Sequence, residues 1–238
     1  MLKALCFHAE KLHDDRVWKR LKRTLKLMRW RGLRATFFIY PFRAVVKSKK
    51  ISGRVKFLLE EGHEIGQHTH FYAGTAINKP NKHSDLSDEN IRACIRRDYE
   101  WLNACGVKPR GFCAGSWIIN DVVFETLVDL GFEYDCSSRI PILQQMENTN
   151  RNLWLSKPEV CHINMRNLIL LPTTHSLGDL FRFNRMRDSV VIKQKRAVYQ
   201  LIYLHDYDLL RINLYLGLLF QILINHFLVV REISKQIR

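Results

Sequence analysis

Short apolar runs recur along the chain, each closed by a polar or glycine-containing step, and between them apolar residues return at helical spacing. Residues 2–7 read as a buried first strand that gives out at His8-Ala9-Glu10. A second strand, rich in β-branched and aromatic residues, covers 34–40 and is stopped by Pro41. Further short strands are expected at 64–67, 109–114, 132–135, 168–174, 201–204 and 227–230. Helices are expected at 16–31, with Asp14-Asp15 as N-cap and Gly32 as C-cap, and at 52–61, 87–105, 121–130 and about 209–224. The polar stretch 72–87 is long enough to form a lid or binding loop, 182–196 is a basic helical stretch, and 140–166 carries no readable pattern. Strand and helix alternate throughout, which predicts a parallel sheet covered by helices, in one domain spanning 1–238.

Acid/base residues fall just past the apolar runs: His8 and Glu10, His68 and His70, Asp135, His175, and His205 with Asp206. On an extended segment, side chains at i and i+2 share a face, so His68 and His70 can reach one ion or one substrate. In a closed barrel the C-terminal strand ends meet at one mouth, which is where active sites form. His8 is open to three readings: base, ligand or core histidine. His63 is read as structural, and Glu64 as facing away from the histidines toward a basic helix. Asp135 pairs either with a site histidine or with Arg139, whereas Asp206 is expected to fix the tautomer of His205. Tyr72 and Trp117 suit a wall on which a sugar stacks, or simple packing, and His175 is placed in the pocket.

Charge changes the picture in one respect. The chain carries +15 at pH 7, much of it in 16–31 and 182–196, so phosphates, anionic headgroups and acidic glycans are attracted to it. No groove-reading or RNA-reading motif accompanies the charge, which argues against a specific nucleic-acid partner. The run 16–31 is an amphipathic helix with a solvated cationic face, to which a weak attraction to an anionic membrane surface is added. Six cysteines without a Cys-x-x-Cys pair, and an N-terminus without a signal-peptide layout, point to a reduced, cytoplasmic protein. The apolar stretch 212–230 is interrupted by Asn213, Gln221, Asn225 and His226, and is read as core.

Four strings carry a family resemblance: Ala35-Thr36-Phe37-Phe38-Ile39, Gly62-His63-Glu64-Ile65-Gly66-Gln67-His68-Thr69, Leu130-Gly131-Phe132-Glu133-Tyr134-Asp135-Cys136-Ser137-Ser138 and Leu204-His205-Asp206. In this order and spacing the chain resembles the polysaccharide deacetylases, from Leu5 to Ile237. The resemblance implies a distorted (β/α) barrel of seven or eight strands. It also implies a divalent metal held by an aspartate and two histidines, a carboxylate base oriented by an arginine, and a last-strand histidine that protonates the leaving amine. His68 matches the first metal histidine and His205 the last-strand histidine. The second metal histidine falls on Tyr72, with His70 the nearest substitute. The aspartate pair falls on His8 and Ala9, with Glu10 next along, and the arginine falls on Cys113. Base and arginine are thus lost together, so neither is left as an unpaired buried charge.

The expectation is a metal-dependent deacetylase or amidohydrolase acting on an N-acetylated sugar, polysaccharide or glycolipid, its substrate anionic in one version. Glu10, His68 and His70 would hold the metal, zinc by preference. The catalytic groups would be His8, His205, Asp206 and His175, with Tyr72, Trp117 and Asp135 on the substrate. Two alternatives stand beside it: a metal-free, allantoinase-like amidohydrolase using histidines alone, and an inactive barrel that binds glycans or anions.

Overall fold

The first strand, β1 (Leu2–Ala9), is buried along nearly its whole length, as expected of a strand with parallel neighbours on both edges and helices outside. The computed structural model describes residues 2–41, 45–72, 85–140, 149, 152–163, 165–178 and 199–237. Most of the expected lid and all of the basic stretch 182–196 lie outside these. Among the described residues the strands are β1, β2 (Thr36–Ile39), β3 (Glu64–Thr69), β4 (Gly111–Ala114), β5 (Tyr134–Asp135), β6 (Glu159–Ile163), β7 (Arg166–Leu170), β8 (His175–Ser176) and β9 (Tyr199–His205). They form one sheet in the order β6-β7-β5-β4-β3-β2-β1-β9-β8. All pairings are parallel except the β6–β7 hairpin, which falls in the stretch that carried no readable pattern.

The sheet closes through a single run of chain. Residues 166–177 bond β5 at one end, through Ile169 N–H to Glu133 O and Leu171 N–H to Asp135 O. At the other end they bond β9, through Thr174 N–H to Leu201 O and Leu177 N–H to Tyr203 O. This is the expected distorted barrel, with nine strands where seven or eight were anticipated. The expected strand at 168–174 is split into β7 and β8 by the change of partner. The strand expected at 227–230 is a single bridge, Leu228 to Ala4, before helix α6 (Val230–Lys235) begins. Its room is short because β2 takes over that edge of β1 from Cys6 onward.

Helices cover the outside: α1 (Asp15–Trp30), α2 (Val45–Glu60), α3 (Asp88–Ala104), α4 (Asp121–Leu130) and α5 (Ile212–Ile224). Asp14 caps α1 by accepting from Arg16 N–H at 2.8 Å, as its position before a basic amphipathic run demands. In α1, Val17, Leu21, Leu25 and Met28 are buried at helical spacing. Helix α5 departs from expectation. It packs on α1 and the barrel through Leu214, Leu218 and Ile222, yet Ile212, Leu216, Phe220, Leu223 and Ile224 face outward. The segment is uncharged and, Asn213 and Gln221 aside, apolar, but it finds a partner on one side only. No helix among the described residues is long and apolar enough to cross a membrane.

A separate cluster fills the barrel interior: Ala4 and Cys6 of β1, Phe38, Cys113, Tyr134, Cys136, Ile169, Leu171, and Tyr199 and Leu201 of β9, closed below by Val230 and Ile233 of α6. The period of two along each strand then sets the site. Ala4 and Cys6 point inward, so the next inward residue of β1 is His8. Tyr199 and Leu201 do likewise, which places His205 at the top of β9, directly in register with His8. Glu64 shares that parity with Gly66 and His68. It turns into the barrel, where it accepts from Thr36 Oγ1, Tyr134 Oη and Arg231 N–H. It does not face away from the histidines as expected, because 64 and 68 are two full periods apart.

Candidate metal and catalytic site

At the C-terminal ends of β1, β3, β4 and β9 a cleft of about 300 Å³ opens between His8, Glu10, His68, His70, Trp117, His205 and Tyr207, with Ala114 and Ser116. Its hub is one carboxylate oxygen. Glu10 Oε1 lies 3.3 Å from His68 Nε2, 3.2 Å from His70 Nε2 and 3.7 Å from His205 Nε2.

His68 carries the decisive tautomer. Its Nδ1 sits 2.7 Å from the Cys113 carbonyl oxygen, an atom that only accepts, so Nδ1 bears the proton. Burial lowers the pKa of this imidazole, which is therefore neutral, with a bare Nε2 lone pair aimed at an anionic carboxylate oxygen. Two acceptors at 3.3 Å call for a cation between them. Donors about 2.0–2.1 Å from a single ion stand roughly 3.0–3.4 Å apart, and Glu10 Oε1 has that separation from both His68 Nε2 and His70 Nε2. These three ligand atoms all lie within 4.8 Å of one another. A carboxylate and two imidazoles, one fixed by an outer carbonyl, fit a first-row divalent ion. His8, His68 and Cys113 form a second grouping, fully buried, whose thiol burial keeps protonated.

His70 is held by two features that the sequence did not announce. The Tyr72 ring stacks on it at 5.2 Å with its hydroxyl 3.3 Å from Nδ1. On the other side, Gly115 leaves room: a Cβ there would lie 2.3 Å from His70 Nδ1. Tyr72 thus backs His70 and does not line the cleft, contrary to its expected place on the substrate. Beyond Gly115 the chain takes two consecutive left-handed residues, Ser116 (φ 58°) and Trp117 (φ 57°). Asn152 Nδ2 secures them by donating to both carbonyls, at 3.2 and 2.7 Å. This turn sets Trp117 against the cleft.

His8 stands in the middle, its ring 4.9 Å from His68, 5.4 Å from His205 and 5.8 Å from Trp117, with Nε2 3.5 Å from Cys113 Sγ. Burial first, then the neighbouring imidazoles, push its pKa well below the usual value. The carboxylate that attends His205 is not Asp206 but Asp208. Its Oδ2 accepts from the His205 backbone N–H at 3.1 Å and lies 3.7 Å from Nδ1. Asp206 turns the other way and accepts from the backbone N–H groups of Glu10 and Lys11, at 2.9–3.2 Å, which anchors the Glu10 turn. Burial pushes its pKa up to about 7.

Two further expectations change. His175 lies outside the cleft: it pairs with Ile202, three residues below His205, and its Nδ1 is 2.9 Å from Thr174 Oγ1. Asp135 is fully buried and accepts from Ser137 N–H and Oγ–H, while Ser137 Oγ accepts from Ala114 N–H at 2.7 Å. It supports the end of β4 and touches neither substrate space nor, through any of these bonds, Arg139. The Arg139 guanidinium instead lies over the rings of Trp117 and Tyr203 at 5.0 and 5.6 Å, a cation behind the aromatic wall. Tyr207, stacked on His205 at 4.8 Å, and Asp208 were missed although both directly follow the His205-Asp206 pair.

The family model for polysaccharide deacetylases matches residues 12–134, just over half of the chain. These include His68, His70 and Gly115 but neither Glu10 nor His205. A peptidoglycan-N-acetylglucosamine deacetylase of Bacillus cereus is 33% identical over 111 residues, a match covering 46% of this chain and 46% of that protein. The match thus spans less than half the length of this relative. Among solved structures, a polysaccharide deacetylase candidate from Mycobacterium smegmatis aligns with a TM-score of 0.66 at 14% identity, over 99% of this chain and 90% of that one. A family 4 acetyl xylan esterase from Clostridium thermocellum, solved with a cobalt ion, aligns with a TM-score of 0.52 at 18% identity, over 99% and 91%.

Proposed function

We propose that this chain, which belongs to the polysaccharide deacetylase family, is a metal-dependent hydrolase that removes the acetyl group from an N-acetylated sugar within a polysaccharide or glycolipid. One observation carries the reading: the Glu10 carboxylate and the bare Nε2 of His68 face each other at 3.3 Å with His70 beside them. Glu10, His68 and His70 would hold the ion, and the donor set suits zinc. When bound, a divalent ion supplies Lewis acidity toward the amide carbonyl oxygen and toward water.

The remaining residues divide the proton work. His8, neutral because it is buried, takes a proton from the water whose oxygen attacks the acetyl carbon. His205, between Glu10 and Asp208, gives a proton to the departing nitrogen as the C–N bond breaks, so that acetate and a free amine leave. Trp117, backed by Arg139, offers a face for the sugar ring, and that cation favours a substrate bearing carboxylate or phosphate. Six free thiols support a reducing, cytoplasmic setting.

The test is elemental analysis of the purified protein together with acetate release from N-acetylglucosamine oligomers. One equivalent of a divalent metal and measurable acetate are expected, and His68→Ala should lose both while keeping its fold by circular dichroism. Protein that takes up no metal after reconstitution and releases no acetate, yet still binds the oligomer, would overturn the reading in favour of a glycan-binding barrel.

A further inference from the structure

Helix α5 carries no charged residue from Ile212 to Ile224. Its Ile212, Leu216, Phe220, Leu223 and Ile224 are each between 47% and 60% exposed. At 100° per residue these five lie within an arc of roughly 120°, so they form an apolar stripe on the outer surface that only Asn213, at its first turn, interrupts. Isolated exposed apolar residues need no explanation, but a contiguous stripe along a whole helix marks an interaction surface.

What borders the stripe identifies its partner. Helix α1 packs directly alongside, sharing a core cluster in which Leu21 and Leu25 join Leu214 and Leu218. At the seam, the Arg20 guanidinium lies 4.8 Å over the Tyr215 ring. From Arg20 the outer face of α1 continues through Lys19, Lys22, Arg23 and Lys26. All four have no ion pair among the described residues, and Lys19, Lys22, Arg23 and Lys26 are exposed. Trp30, an amphipathic ring, ends the same helix at 73% exposure. An uncharged apolar stripe thus runs beside a cationic ridge, on a molecule whose net charge is +15.

We infer that this paired surface docks in the headgroup region of an anionic lipid bilayer, with α5 lying in the plane of the membrane. Helix α5 has 13 residues, about 20 Å at 1.5 Å per residue, too short to cross an apolar core of about 30 Å but suited to lie in it by one face. The ridge gains from anionic headgroups roughly 1 kcal/mol for each Lys or Arg near the surface. A second copy is a poor occupant, because pairing two stripes would bring two cationic ridges together. The stripe begins one short turn beyond His205 and Tyr207, which line the cleft, so docking would hold the enzyme near membrane-attached glycans.

Sedimentation of the full chain with vesicles tests this independently of hydrolysis. Vesicles of phosphatidylcholine containing phosphatidylserine should pull the protein down, phosphatidylcholine alone should not, and binding should weaken as salt rises. The Leu216→Asp/Phe220→Asp variant and the Lys22→Glu/Arg23→Glu variant should each weaken vesicle binding by about 30-fold or more, the first through lost apolar burial and the second through two lost basic contacts. Metal uptake and acetate release from a soluble oligomer should stay at the parent level. Vesicle binding unchanged in both variants would overturn the inference. So would no binding to anionic vesicles, including the case in which the parent chain is a dimer that Leu216→Asp/Phe220→Asp dissolves, since a second copy would then cover the stripe.

Discussion

A methyl group at residue 115 would stand 2.3 Å from His70 Nδ1, so the place of His70, the second imidazole proposed for the metal, depends on a glycine forty-five positions away. Gly115→Ala should therefore displace His70 and weaken metal binding by about 10- to 100-fold, read by titration with zinc, with secondary structure unchanged. Affinity equal to the parent would show that His70 is not a ligand. His8→Ala should lower kcat by roughly 10²–10⁴ with metal uptake intact, since the part proposed for it is the proton and not the ion. His63 makes a pH prediction. It accepts from Ala35 N–H through Nδ1 at 3.1 Å, which only the unprotonated nitrogen can do, and burial, helped by Arg34, holds its pKa down at about 4. As pH falls the unfolded chain takes up this proton first. The stabilisation, on the order of 3 kcal/mol, is present above about pH 6.5 and lost toward pH 4. Urea unfolding at neutral and acid pH should show a smaller acid loss in His63→Phe; an equal loss would assign the effect to other groups.

At the scale of elements, local rules account for most of what the sequence announced. Asp14, Ser87 and Asn120 cap their helices by accepting from backbone N–H groups two or three residues on, and Gly131 ends α4 at φ 80°. The buried row of α1 was legible for the same reason, and Leu25→Ala should cost about 2–5 kcal/mol in a urea titration because the gap opens in the shared α1–α5 core. Elements without such local marks were lost. The β6–β7 hairpin has an exposed edge strand with no apolar alternation, and β8 has only two residues, held by β9 and not by its own composition. Helix α5 was found but its setting was not: a helix with apolar residues on nearly every side does not say which side a partner will cover.

The whole molecule turns on closure. Residues 166–177 change partner from β5 to β9, and the change is clasped by Thr174, whose Oγ1 accepts from Leu201 N–H and donates to Leu201 O, both at 2.9 Å. Thr174→Val would leave those buried groups less well satisfied, and a loss of about 1–3 kcal/mol is expected, largely restored by Thr174→Ser. His205 itself is placed by the parallel ladder of β9 on β1, in register with His8, and the closing run covers the other edge of β9.

By itself the sequence determined the alternation of strand and helix, the placing of titratable groups at strand ends, and the shared face of His68 and His70. Those follow from rules that act within a few residues, namely caps and periods of 2 and 3.6. Tertiary structure alone decided that Asp208 and not Asp206 attends His205, that His175 and Asp135 stay out of the cleft, and that Gly115 makes space for His70. Each of these depends on which backbone N–H or ring arrives from a distant strand. The Glu10–Asp206 anchor joins residues 196 apart, and no local pattern records such a meeting.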